Sequence, residues 1–281
     1  MASNPVFDRI EKDARQGYAG FGNAPRDAAQ AGPFAGTDYS TNQQLQDMYD
    51  RPPAGPLQTG RVTMDDVVMK SMTLFAIVIG VGAFGWVTAD NNPALGQMFW
   101  MGGMVGTLVL GLVIAFKKVI SVPLILAYAA VEGLFVGAVS NYFNDAFGPG
   151  LVSTAVIATL ATFAGMFLAY KSGLVKVTNK FRRIMTFAIF GYAIFAIVNV
   201  IYAMVTNTAF GIGGSGPLGI GLSLFAVGLA SFSLALDFDA IEGAVRTGAP
   251  AQYSWLLAHG LIVTLVWLYI EFLRLLARLR N

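Results

Sequence analysis

Seven apolar runs, each about 20 residues long, follow one another from Val67 almost to the end of the chain. They cover about 67–89, 96–116, 119–143, 150–170, 184–206, 217–241 and 255–277. A helix of this length crosses the roughly 30 Å hydrocarbon core of a bilayer. The runs do not alternate polar and apolar residues, which excludes a transmembrane β-barrel. The sequence therefore predicts an all-α integral membrane protein, built as a bundle of seven transmembrane helices.

Charge is scarce in this chain and is unevenly distributed. Only 12% of the 281 residues are charged and 56% are apolar, whereas roughly a quarter of a soluble domain is charged. Residues 1–66 carry nine Asp or Glu and six Lys or Arg, and too little apolar surface to offset the entropy of folding. We predict a disordered polar cytoplasmic tail over residues 1–66 and a seven-helix transmembrane domain over residues 67–281.

The basic residues of the short connections predict the orientation of the bundle. The second, fourth and sixth connections carry eight of them, and the first, third and fifth carry none. The eight are Lys117, Lys118, Lys171, Lys176, Lys180, Arg182, Arg183 and Arg246. The positive-inside rule places these loops, and with them the N-terminus, in the cytoplasm. Seven crossings then put the C-terminus outside, although Arg274, Arg278 and Arg280 make it basic. The alternative is that the last segment does not fully cross.

Glycines recur inside the first three spans, often four residues apart: Gly80, Gly82, Gly85, Gly102, Gly106, Gly133 and Gly137. Small residues at this spacing let membrane helices approach each other closely. We expect these glycines to mark packing seams within one bundle, with an oligomer contact as the alternative.

Composition also excludes several classes of function. The chain has no cysteine, which rules out disulfides, thiolate metal sites and thiol catalysis. The single His259 cannot form a histidine metal cluster, and a net charge of +2 argues against a nucleic-acid surface. GIGGSG at 211–216 formally matches a dinucleotide fingerprint, but no predicted strand precedes it. We expect neither an enzyme nor a resident cofactor.

Four acids lie where a membrane protein should avoid them. Glu132 is near the middle of the third span, Asp237 and Asp239 lie late in the sixth, and Glu271 lies in the seventh. One such charge at a helix centre costs at least ~2.5 to 3.5 kcal/mol, and four cost about 10. We therefore expect these side chains to face the bundle interior, pair with a cation or remain partly protonated.

Two carboxylates in a poorly solvated site cannot both ionise easily, so such a pair can act as a proton-sensitive gate. Their oxygens are also the ligands that calcium prefers. Other roles stay open. Asp237 and Asp239 could lie at the headgroup level, and because they are two residues apart, only one is expected to face a pore. Glu271 could pair with Arg274 one turn later.

Several short motifs occur in an order that points to a known family. They are SNPVF near the start, TMDDVV at the first span, EG with a further glycine four residues after Gly133, DFDAIEG, and VTLVWLYIEFLRLL. Together they resemble the bacterial branch of the Bax inhibitor-1 (transmembrane Bax inhibitor motif) family that has a long N-terminal tail. The resemblance covers about residues 60–281, plus residues 3–7.

This resemblance implies a seven-helix bundle with the last helix at its centre, acting as a pH-sensitive calcium leak in the plasma (inner) membrane. In the family the path is held shut by an acid on the sixth helix, an acid on the seventh and an arginine on the second. By motif position Glu271 matches the seventh-helix acid, with Glu in place of Asp. Asp239 is the first choice for the sixth-helix acid and Asp237 the second, and Asp237 and Glu132 would line the path.

Two features of the sequence qualify this match. The second span contains no arginine and ends in Lys117 and Lys118, which could serve as a basic latch but lack the bidentate fork of arginine. For Asp239 and Glu271 to meet, and to bind calcium transiently, the sixth helix must extend to about Arg246. The seventh must also begin late, with residues 250–258 at the surface.

The leading hypothesis is thus a proton-regulated calcium or cation leak channel whose partners are the lipid bilayer, calcium and protons. One alternative is a non-conducting regulator that binds a membrane protease or stress protein through its N-terminal tail. Another is a proton-coupled transporter.

Overall fold

The computed structural model describes residues 60–281, so the predicted tail over residues 1–59 lies outside the described residues. The described part of the chain forms seven helices: α1 Met64–Asn91, α2 Pro93–Phe116, α3 Val122–Phe147, α4 Leu151–Lys171, α5 Asn179–Thr206, α6 Pro217–Thr247 and α7 Tyr253–Arg280. Each is long and apolar enough to cross a membrane. The predicted all-α seven-helix bundle is confirmed. The predicted disorder is wrong for the described residues 60–66, because Val62 is buried and α1 begins at Met64; over residues 1–59 the tail stays a prediction.

Local sequence explains where several of these helices begin and end. Thr63, Asn92 and Thr178 each accept a hydrogen bond from the backbone N–H three residues later, at the starts of α1, α2 and α5. Such side-chain caps satisfy N–H groups that have no partner inside the helix. Helix α6 ends at Gly248, whose φ of 66° lies in the left-handed region that favours glycine.

Helix α7 lies at the centre of the bundle. Within its most apolar window 61% of the residues are buried, against 11% for both α2 and α5. It contacts α1, α3, α4 and α6 along its length. This central position agrees with what the family resemblance implies, and it makes the side chains of α7 the natural lining of any interior site.

Helices α1 and α3 cross at a glycine seam. A Cβ built on Gly137 would lie 2.1 Å from the carbonyl oxygen of Gly82, and one on Gly85 would lie 3.1 Å from the carbonyl oxygen of Leu134. The predicted seams are therefore confirmed at this crossing. The prediction is wrong for two glycines, around which a Cβ would meet nothing within 4 Å: Gly80 and Gly102.

The two ends of α7 lie at opposite ends of the bundle. Near its start, Val62 before α1 donates a hydrogen bond to Ala249 in the α6–α7 connection at 2.7 Å. At its other end, Arg280 donates to carbonyl oxygens of the α3–α4 connection, including that of Phe147 at 3.1 Å. Helix α7 therefore runs the full length of the bundle, which argues against an incomplete last crossing. Which end faces the cytoplasm stays a prediction.

Candidate functional site

One face of α7 carries polar side chains along the inside of the bundle. Its members follow at spacings of three and four residues, which places them on the same side of a helix. We call this set the α7 polar face: Thr264, Trp267, Glu271, Arg274 and Arg278. Thr264, Glu271 and Arg278 are buried. Because the partners of these side chains come from α5, α6 and the connection between them, the face looks toward that side of the bundle.

Glu271 is the acid at the centre of this face, and only 3% of its surface is exposed. Tyr192 of α5 donates a hydrogen bond to Oε1 of Glu271 at 2.5 Å, and the indole Nε1 of Trp267 donates to the same oxygen at 3.2 Å. Arg274 lies 3.6 Å from that oxygen. This is the pairing of Glu271 with Arg274 that the sequence left open as an alternative. Glu271 therefore joins α5 to α7 through a buried polar contact.

Asp237 is the sixth-helix acid that reaches the α7 polar face. It is 8% exposed and lies beside the Thr264 side chain, while its Oδ2 has no hydrogen-bond partner. This contact also fixes how α6 and α7 lie beside each other. The antiparallel helices bring Asp237 level with Thr264, near the middle of both.

Asp239, the first choice from the sequence, is directed elsewhere. It forms an ion pair with Arg182 in the first turn of α5. Two residues beyond Asp237, it is level with about residue 262 of α7, so Glu271 lies about 13 Å further along the helix axis. The structure therefore does not bring Asp239 and Glu271 together, and the predicted transient calcium site made by these two carboxylates is not formed.

The sequence set two requirements for Asp239 and Glu271 to meet, and the structure meets only the first. Helix α6 extends to Thr247, as required. Helix α7, however, begins at Tyr253, and Ser254 and Leu257 are among its most buried residues. The prediction of a surface segment over residues 250–258 is wrong, because residues 253–258 form the first turns of α7 and α7 packs against α1.

A second polar contact lies beside Asp239 near the end of α6. Tyr170 of α4 donates a hydrogen bond to Oε2 of Glu242 at 2.6 Å. Together with the ion pair between Arg182 and Asp239, it ties α4 and α5 to the same part of α6. Apolar packing accompanies these polar contacts, since Phe167 of α4 packs on Phe238 and Phe181 of α5 packs on Phe232.

Glu132 belongs to a separate cluster. It is 5% exposed, lies beside the Tyr128 side chain and has no hydrogen-bond partner for its Oε2. The ring of Tyr128 packs edge-on against His259, with centroids 4.4 Å apart. His259 is five residues before Thr264, which is about 140° around the helix. Glu132 therefore lies on another side of α7 from the polar face, rather than on a shared path with Glu271.

The predicted basic latch also lies away from Glu271. Lys117 directly follows α2 and Lys118 lies in the α2–α3 connection. Lys117 borders a small cleft whose lining includes Leu256, in the first turn of α7, whereas Glu271 lies fifteen residues beyond Leu256. The arginines that the structure places beside the acids come from α5 and α7 instead.

Comparison with known protein families identifies the family of this chain. The family described as Bax inhibitor 1 like matches residues 4–281. The chain belongs to the Bax inhibitor-1-like family. No curated protein matches the chain. Within the part of this Bax inhibitor-1-like protein that the structure describes, no group of three or more His, Asp or Glu side chains could hold a metal ion.

The far end of the polar face is closed by groups of the first turns of α6 and of the α5–α6 connection. Arg278 donates hydrogen bonds to Gly219, to Ser223 at 2.9 Å and to the carbonyl of Phe210 at 3.2 Å. Buried Asn199 of α5 holds the same connection, since its Oδ1 accepts from Ile212 N–H at 2.7 Å. The glycine-rich stretch at 211–216 therefore serves as the tight α5–α6 connection.

Sequence reasoning missed two partners of the acids. Arg182 belongs to a run of basic residues beside a loop. The positive-inside rule explains such a run, so the sequence gives no reason to expect a carboxylate partner for Arg182. Tyr192 lies in an apolar span with no motif around it. The only signal for either is chemical, because a buried carboxylate needs a hydrogen-bond donor.

Proposed function

We propose that this Bax inhibitor-1-like protein is a pH-sensitive calcium or cation leak channel whose path follows the α7 polar face, between α5 and α6. The observation that carries the proposal is Glu271, an acid 3% exposed on the most buried helix. A charge at such a position costs at least ~2.5 kcal/mol, and ionisable residues inside membranes typically mark ion pathways.

The polar face supplies suitable groups for a cation along much of its length. Asp237 and Thr264 lie near the middle of the bundle, and Glu271 lies about 10 Å further along α7. Carboxylate and hydroxyl oxygens are the ligands that a hard cation such as calcium prefers. Arg274 and Arg278 lie on the same face, and their positive charges oppose the entry of a cation. The arrangement is therefore that of a closed path.

Helix α5 is the best candidate for the moving element. Only Met185 and Asn199 of its 28 residues are buried. The ring of Tyr192 stacks on Trp267, with centroids 5.7 Å apart, and two polar contacts join α5 to the site: Tyr192 with Glu271, and Arg182 with Asp239. Both contacts end on carboxylates, so protonation weakens the attraction that holds α5 against the site. A fall in pH therefore loosens α5 and widens the path.

Two further expectations accompany the proposal. The end of the bundle that carries the α2–α3, α4–α5 and α6–α7 connections faces the cytoplasm, because eight basic residues lie in or beside those connections. Calcium and protons act as permeant or regulatory ligands, without a resident cofactor and without enzymatic chemistry.

The test is calcium flux into proteoliposomes at pH 6, 7 and 8 for the natural protein and for Glu271→Gln. Glutamine is the neutral counterpart of protonated glutamate. We expect the variant to show one flux at all three pH values, equal to that of the natural protein at the most acidic of them. Asp145→Asn, which neutralises an exposed acid at the end of α3, should leave the natural pH profile unchanged.

Two outcomes would count against the proposal. A Glu271→Gln variant that melts like the natural protein and keeps its pH profile would remove Glu271 from the gate. Absence of flux in the natural protein at every pH would favour the non-conducting regulator.

A further inference from the structure

The residues just before α1 are paired with the α6–α7 connection. We call residues 60–63 the strap. Val62 N–H donates to Ala249 O at 2.7 Å, and Ala251 N–H donates to Gly60 O at 2.8 Å, as in a short antiparallel ladder. Val62 and Ala249 are buried in the same core cluster. The strap is therefore packed into the bundle and does not simply lead into α1.

A polar triangle fixes the same junction one turn further on. Ser254 Oγ lies 2.5 Å from Asp66 Oδ2 and 2.6 Å from Lys70 Nζ, and Lys70 Nζ lies 2.8 Å from Asp66 Oδ2. The Lys70 ammonium also lies 5.3 Å from the ring centroid of Trp255. Ser254 is completely buried, so this triangle joins the start of α1 to the start of α7 inside the protein.

The position of the strap connects it to the proposed site. The α6–α7 connection joins the two helices whose contact brings Asp237 to Thr264. Because the strap pairs with residues 249 and 251 of this connection, and the triangle ties Ser254 of α7 to α1, this end of α6 and α7 can move away from α1 only if the strap and the triangle open. Residues 1–59 are attached directly to the strap, so anything bound to them acts on this junction first.

We propose that the strap is a releasable clamp that holds α6 and α7 in the closed arrangement and couples the N-terminal tail to the path. The regulatory part of this proposal rests on the proposed channel function. The clamp itself makes a separate structural claim, which can be tested without any flux.

A reversible cross-link tests the clamp directly. The two backbone hydrogen bonds flank Arg61 and Pro250, which form an antiparallel bridge. In such a non-hydrogen-bonded pair the Cα atoms are about 4.5 Å apart, within the roughly 4.4 to 6.8 Å that a disulfide spans. The chain contains no other cysteine, so Arg61→Cys with Pro250→Cys can form only this bond within the chain. Pro250 has no backbone N–H, and neither ladder hydrogen bond involves the backbone of this residue, so Pro250→Cys leaves both bonds in place.

We expect oxidation of the double variant to form the cross-link and to abolish flux, and reduction to restore flux to the natural level. A cross-link that forms without changing flux would overturn the coupling. Failure of the two cysteines to cross-link under oxidising conditions, in a variant that melts like the natural protein, would overturn the pairing itself.

A loosening variant gives a readout independent of transport. Asp66→Asn removes the charge at the centre of the triangle, while Asp65→Asn makes the same change at the exposed neighbouring residue. We expect Asp66→Asn, and not Asp65→Asn, to speed amide hydrogen exchange over residues 249–257 and to raise the leak.

The two readouts separate the two proposals. If the natural protein carries no flux, the channel function fails, and hydrogen exchange still decides the clamp. Faster exchange in Asp66→Asn alone supports the clamp, whereas equal exchange in the two variants refutes it.

Discussion

Replacing Gly137 by alanine should break the close crossing of α1 and α3. The new Cβ would lie 2.1 Å from the carbonyl oxygen of Gly82 and 2.8 Å from the backbone nitrogen of Trp86. Ordinary contacts of a Cβ begin at 3.4 Å, so the helices would have to move apart by about 1.3 Å. Both obstacles are backbone atoms, and no side-chain rotation can relieve the clash.

The magnitude follows from this geometry. Overpacking a well-packed interior typically costs about 1 to 3 kcal/mol, and a clash with backbone on two sides belongs at the upper end. We expect Gly137→Ala to lose about 3 kcal/mol of stability. Gly102→Ala is the matched control, because its Cβ meets nothing within 4 Å. It should be neutral or gain up to about 1 kcal/mol from the better helix propensity of alanine.

Thermal unfolding of both variants in one detergent measures the difference. For a chain of this size, 1 kcal/mol shifts the melting temperature by about 2 to 4 °C. Gly137→Ala should therefore melt about 6 to 12 °C below the natural protein, and Gly102→Ala at or slightly above it. Equal melting temperatures for the two variants would refute a crossing in which α1 and α3 touch through their backbones.

Two further variants probe the contacts of α5. Arg182→Gln removes the ion pair to Asp239 and should raise the leak at neutral pH in the proteoliposome assay, whereas Arg183→Gln, at an exposed neighbour, should not; equal leaks would exclude Arg182 as a closing contact. Tyr192→Phe removes the hydroxyl donor to Glu271 but keeps the ring, so the pH at which flux is half-maximal should shift while the melting temperature changes little. An unshifted profile would show that this hydrogen bond does not set the response.

The sequence predicted the helices well, and it misjudged some of their ends for a physical reason. Helix α5 begins at Asn179 rather than near residue 184, and α6 ends at Thr247 rather than near residue 241. Hydropathy stops a span where charged residues begin. The helical hydrogen bonds continue past that point, because Arg182 and Glu242 find polar partners on neighbouring helices.

The acids were predictable and their partners were not. A buried carboxylate is costly whatever surrounds it, so Asp237 and Glu271 could be identified from residue type and depth alone. Which residue lies opposite depends on how each helix is rotated and shifted, and this is set by packing along its whole length. Tyr192 is 79 residues from Glu271, and Arg182 is 57 residues from Asp239. No local spacing rule covers such distances.

The three arginines of the basic C-terminus all have partners within the protein. The positive-inside rule treats each arginine as a free charge, yet Arg274 pairs with Glu271, and Arg278 donates to carbonyls of the α5–α6 region. Arg280 donates to three successive carbonyls at the end of α3, where the helix dipole is negative. All three guanidinium groups therefore pair with groups at the end of the bundle opposite the basic loops, Arg278 from a buried position and Arg280 from an exposed one. Seven complete crossings therefore leave each of these arginines with a partner inside the bundle or at its end.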